Sequence, residues 1–125
     1  MDTDCDDAGA LLLLINAHLK KEITLLGVVA DSICAHAAPF CKSVLDYYSL
    51  DIPVGEIYGH ALVDGRFDDY LSHRKICSTQ AYNEIAKREG EIYSAKELYR
   101  TLLSQAEDGS VTVLCVGMLT AVSQL

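Results

Sequence analysis

What this chain has little of bounds it first. It contains no apolar run long enough to cross a bilayer, so a membrane-spanning helix is not expected. Basic residues are few and dispersed: 10 Lys and Arg stand against 18 Asp and Glu, a formal net charge of −8. Without a basic cluster, neither nucleic acid nor an anionic membrane surface is an expected partner. The five cysteines, at 5, 34, 41, 77 and 115, include no close pair, and their number is odd. That disfavours a disulfide frame or a zinc site. Cys34, Cys41 and Cys115 lie in apolar surroundings and are expected as buried thiols of a reducing compartment. The start is acidic where a secretory leader is basic, so a cytoplasmic location is expected, an argument that a further upstream segment would remove. No internal repeat or low-complexity stretch is visible.

What is present is enough for one domain: 125 residues, half of them apolar. Residues 6 or 7 to about 19 form a helix pattern, apolar on nearly every side through Ile15, which predicts burial between layers. Lys20 and Lys21 close it, where cations suit the helix dipole. Residues 23–30 are a continuous apolar run with β-branched members, the pattern of a central parallel strand. Asp31 and Ser32 follow at its carboxyl end, the edge where open α/β sheets bind ligands, although a plain loop with either residue as a cap is an equal reading.

A helix is predicted from about 37 to 48, with Pro39 in its first turn, then a strand of two or three residues within 51–55. Residues 56–78 are mixed, with turns at Gly59 and Gly65 and a short helix over 67–71. His60, His73, Asp64, Asp68 and Asp69 lack ligand spacing and suit a solvated loop. A second short helix is expected over 81–88. Ser94 and Glu97 make a capping box that starts a helix to about residue 106, with Leu98, Leu102 and either Tyr99 or Leu103 facing the core. Residues 111–116 predict another buried strand, and a helix begins near Leu119. Strands and helices alternate, so the expected fold is α/β with a Rossmann-like open parallel sheet and flanking helices.

The most unusual stretch is the beginning. Asp2, Asp4, Asp6 and Asp7 fall within six residues and lead directly into the apolar run 8–15. Neighbouring carboxylates raise one another's pKa, and a buried helix beside them adds a desolvation cost. Helix capping accounts for one or two Asp residues. Four are better accounted for by a hard cation, Ca²⁺ or Mg²⁺, on oxygen ligands. An EF-hand loop counted from Asp2 fails, because its sixth and twelfth positions hold Asp7 and Leu13. A phosphatase-type Asp-x-Asp normally ends an apolar strand, and only Met1 precedes Asp2.

Asp4-Cys5-Asp6-Asp7-Ala8-Gly9-Ala10-Leu11 resembles the N-terminal signature of the inosine–uridine nucleoside hydrolase family, in its longer form Asp-Thr-Asp-Met-x-x-Asp-x-Asp-Asp-Ala. Two alignments are open. One places Met1 inside that longer motif, with the family's first strand and first Asp-x-Asp upstream of it. The other takes Asp2-Thr3-Asp4 as the Asp-x-Asp with a shortened turn. The first needs no deletion within the metal loop, and both put Asp6 and Asp7 at the same paired positions. Tyr47-Tyr48 followed by Asp51-Ile52-Pro53-Val54 is a second point of resemblance. Residues 111–120 are a third, with Met118 and Ala121 standing where the family has Pro and Asn.

The resemblance implies a single, incomplete nucleoside hydrolase-like domain over 1–125. It implies Ca²⁺-dependent hydrolysis of the N-glycosidic bond of ribonucleosides, in purine and pyrimidine salvage, by proteins that are often homo-oligomers. By position, Asp7 would ligate Ca²⁺, and Asp6 would bind the ribose hydroxyl and support the metal. The main-chain carbonyl of Val116 would reach the ion, and Ser32 sits near a substrate-contacting position. Asp4 would be the catalytic base under the shortened-turn alignment. The family's later Asp, Asn, Glu and His groups have no counterpart, so weak or absent activity is expected. Two rivals remain: a non-catalytic α/β metal-binding module, and a metal-dependent phosphohydrolase using Asp2 and Asp4.

Overall fold

The structure, a computed structural model, describes residues 1–32, 34–58 and 91–125. The regions expected as turns and short helices over 59–78 and 81–88, with Cys77, lie outside the described residues. Elements follow in the order α1 (Cys5–Leu19), β1 (Val28–Ala30), α2 (Ala37–Tyr47), β2 (Val54–Glu56), β3 (Ile92–Ser94) and α3 (Ala95–Ser104), with a short 3₁₀ turn at Val122–Gln124. The three strands form one parallel sheet, β1-β2-β3, with Val28 opposite Val54 and Val54 opposite Ile92. This is a small α/β fold with an open parallel sheet, compatible with a Rossmann-like arrangement.

Alternation along the strands sends side chains to two faces. Val28, Ala30 and Val54 pack with Leu11 and Ile15 of α1 and with Phe40, Cys41 and Leu45 of α2. Val29 turns to the other face, with Ala95 and Tyr99 of α3, Ile57 and Ala121. There α3 rests almost on the strand backbone. A Cβ on Gly55 would stand 3.0 Å from Leu98 Cδ2 and 3.2 Å from Ala95 Cα. Helices therefore cover both faces, as a parallel sheet requires.

Several expectations are corrected. The strand expected over 23–30 is only three residues long. Val28 N–H donates to the carbonyl of Pro53 at 3.0 Å, and the next rung upstream would need an N–H that proline lacks. The amide of Leu25 instead donates to His18 Nδ1. Helix α1 buries one stripe, Asp7, Leu11 and Ile15, while Leu12 and Leu13 are exposed, because only one side of it meets the sheet. Ser94 is the N-cap of α3 but makes no side-chain cap bond. It is also the last residue of β3, so strand pairing holds its backbone extended. Leu98 is buried as expected, and Tyr99, Leu102 and Leu103 are half-buried. β3 itself was not expected.

The predicted strand over 111–116 forms no strand; it is largely exposed, with Cys115 at the surface. The helix expected from Leu119 is a single turn, with Ser123 N–H donating to Leu119 O. Cys34 and Cys41 are buried as expected, and burial pushes the Cys41 thiol up to about 12.

Candidate metal centre

The turn before α1 is built by backbone amides converging on one carboxylate. Asp7 Oδ2 accepts from the N–H of Asp2 at 2.5 Å and of Thr3 at 2.9 Å. Asp4 is the N-cap, its Oδ1 accepting from Asp7 N–H at 3.3 Å. Asp4 at the N-cap and Asp7 three residues on thus hold each other's turn as a capping box does, with Asp7 reaching further back. The turn puts Thr3 at φ 73°, a costly conformation for a β-branched residue. Thr3 is fully buried there, its hydroxyl donating to the carbonyl of Asp2.

The result is a cluster in which Asp2, Asp4 and Asp7 each offer an oxygen within 4.8 Å of the other two. Asp7 is only 3% exposed. Among the described residues, no Lys or Arg makes an ion pair with any of the three carboxylates. The cost appears as raised proton affinity. Burial first, then the hydrogen bond and charge of Asp7 and the charge of Asp4, push Asp2 up to about 6 from 3.8. Asp4 is also raised, chiefly by its hydrogen bond with Asp6 and then by burial. The same bond lowers Asp6.

The sequence-predicted residues are placed as follows. Asp7 and Asp4 belong to the cluster. Asp6 is exposed beside it, linked through Asp4. Ser32 is buried, its Oγ accepting from Cys34 N–H at 3.1 Å within its own loop. Val116 is half-buried, one residue before Gly117. Gly117, at φ 90°, comes so close to Asp2 that a Cβ would lie 3.2 Å from its Cγ and 3.3 Å from its N. The segment before α1 and the one after residue 116 therefore meet at Asp2.

Two acidic residues matter more than sequence reasoning allowed. Asp2 entered only through the shortened-turn alignment and the phosphohydrolase rival, and was not named as an ion ligand; here it completes the triad. Asp31, weighed as a loop cap, is 2% exposed. Its N–H donates to Met1 O at 2.7 Å and its Oδ2 accepts from Ala121 N–H at 2.9 Å, while its Oδ1 is buried with no partner. Its position directly after a strand was the signal available. An all-oxygen set with unneutralised charge fits a hard divalent cation. Compared with protein-family models, curated proteins and solved structures, the chain gives no match.

Proposed function

We propose that this chain carries the ribose-and-metal half of a nucleoside hydrolase-like site, on a partial fold of that type. The observation that carries the reading is the convergence of Asp2, Asp4 and Asp7, without a Lys or Arg partner among the described residues, beside the carboxyl end of β1. Those three side chains would hold Ca²⁺, with the Val116 carbonyl as a further donor. Ca²⁺ bound there would supply a Lewis acid for an attacking water and a seat for the ribose 2′- and 3′-hydroxyls.

The chain's own residues do the rest. Asp6, exposed and hydrogen-bonded to Asp4, would accept a hydrogen bond from a ribose hydroxyl, with Ser32 near the same edge. Under the shortened-turn alignment Asp4 would be the base that takes a proton from that water. Cleavage of the N-glycosidic bond gives a positive, oxocarbenium-like ribosyl group, which this negative field favours. All of these residues serve the ribose side.

Calorimetry with Ca²⁺ on the full chain tests this. Uptake by the native chain, weakened roughly tenfold or more in Asp7→Asn, is expected, together with inosine or uridine binding that needs the ion. Absence of Ca²⁺ uptake overturns it. Uptake without any nucleoside effect leaves a structural ion site, and hydrolysis of a phosphate ester in place of nucleosides would favour the phosphohydrolase reading.

A further inference from the structure

Asp31 reaches the candidate metal centre from two sides without belonging to the aspartate cluster. It follows β1 directly and is 2% exposed. Its N–H donates to the carbonyl of Met1 at 2.7 Å and so holds the residue next to Asp2. Its Oδ2 accepts from the N–H of Ala121 at 2.9 Å, across 90 residues of sequence. The turn that begins at Gly117 and ends at Ala121 lies against Asp2, since a Cβ on Gly117 would stand 3.2 Å from Asp2 Cγ. Asp31, Met1, Asp2, Gly117 and Ala121 therefore close a ring of bonds and contacts. Asp7, Asp31 and Val116 also line one cavity, of about 1080 Å³.

We infer that Asp31 is a positioning residue for the proposed ion site: it ties the 117–121 turn to the end of β1 and so sets the Val116 carbonyl toward the aspartate cluster. The inference rests on the ion reading given above and adds to it the group that fixes the carbonyl donor. The other hydrogen bonds that residues 107–125 make among the described residues are local, such as Ser110 N–H to Glu107 O and Ser123 N–H to Leu119 O. Local bonds shape the segment but do not fix where it lies relative to Asp2. The bond to Asp31 does, because Asp31 continues directly from a strand paired with β2. It is also shielded from water: Ala121 is 1% exposed and packs with Ile57 and Ala95. An N–H left there without an acceptor carries its full desolvation cost, so the turn must shift to find another partner once the carboxylate is removed. Only one carboxylate oxygen is engaged, since Oδ1 is buried with no partner. An amide oxygen in the same place can therefore hold the same bond.

The test titrates the full chain with Ca²⁺ and with Mg²⁺ in calorimetry, comparing the native chain with Asp31→Ala and Asp31→Asn. Asp31→Ala should bind Ca²⁺ roughly ten- to a hundredfold more weakly, the usual effect of losing a group that orients a ligand. Mg²⁺ keeps more of its water and needs fewer protein donors, so it should lose less, and the preference for Ca²⁺ over Mg²⁺ should fall. Asp31→Asn, which offers an oxygen to Ala121 N–H, should restore both toward native values. If Asp31→Ala does not fold, Ala121→Pro removes the donor from the other side, at a φ of −62° that proline adopts, and should give the same loss of preference. Equal loss for the two ions marks a general loosening and overturns the inference. Asp31→Asn as weak as Asp31→Ala marks an effect of charge alone and also overturns it. Undiminished Ca²⁺ uptake by Asp31→Ala overturns the inference and leaves the ion site standing, whereas no uptake by the native chain overturns both.

Discussion

β2 and residues 111–116 are both short and apolar, and the second has the stronger strand sequence, Val-Thr-Val-Leu-Cys-Val against Val-Gly-Glu. Yet β2 lies between two hydrogen-bonded neighbours with Val54 fully buried, while Val113 and Leu114 are 41% and 60% exposed. The difference is in the neighbours. β1 and β3 supply edges to β2, and α2 and α3 cover its two faces. Residues 111–116 face a cavity. β-propensity describes how well a segment fits a pleated surface, and without that surface it expresses little.

The contrast breaks most visibly under truncation of leucines. Leu45, fully buried beneath β1 and β2, should cost roughly 2–5 kcal/mol when changed to Ala. Leu114→Ala should stay within about 0.5 kcal/mol, because most of its side chain already meets water. Urea unfolding of both variants measures this, and equal losses would mean that 111–116 is packed in solution. A smaller effect separates two glycines of the C-terminal region. Gly109 and Gly117 both have positive φ, so either change to Ala should cost about 1–2 kcal/mol. Gly109 has open space around it, whereas a Cβ on Gly117 meets Asp2. Gly117→Ala should therefore also weaken divalent-cation uptake in calorimetry, and Gly109→Ala should leave it unchanged.

Much of the layer order was legible in the sequence because it rests on periodicity. The apolar run before Asp31 and the 3.6-residue repeat of α2 identify a βαβ unit, and the structure pairs β1 with β2 in parallel. What was not legible depends on partners. The length of β1 is limited by Pro53, 25 residues on, whose carbonyl accepts from Val28 N–H. β3 has no alternating pattern and exists because β2 offers an edge. At the candidate site, the density of Asp residues was evident, but not which of them converge. Local turn geometry decides that: left-handed Thr3 folds Asp2 back toward Asp7, and helix direction leaves Asp6 outside.

The smallest expected effect separates the acidic turn from the rest of the molecule by titration. Asp2 takes up its proton at about 6 when folded and at 3.8 when unfolded, so between those values the folded chain binds more protons. Stability of the cation-free protein should then rise as pH falls from about 6 toward about 4, the opposite of the usual carboxylate behaviour. Asp4, raised as well, adds in the same direction. Asp6 is lowered, so the stability it contributes is present above 3.8 and is lost only as pH falls further. Because Asp2 is half-buried, solvent screening keeps the effect modest. Thermal melts across this window should show the rise, and Asp2→Asn should flatten it. Saturating Ca²⁺ should reverse the slope, since protons and the cation compete for the same oxygens. A slope unchanged by both the substitution and the ion would mean that the three carboxylates do not converge in solution.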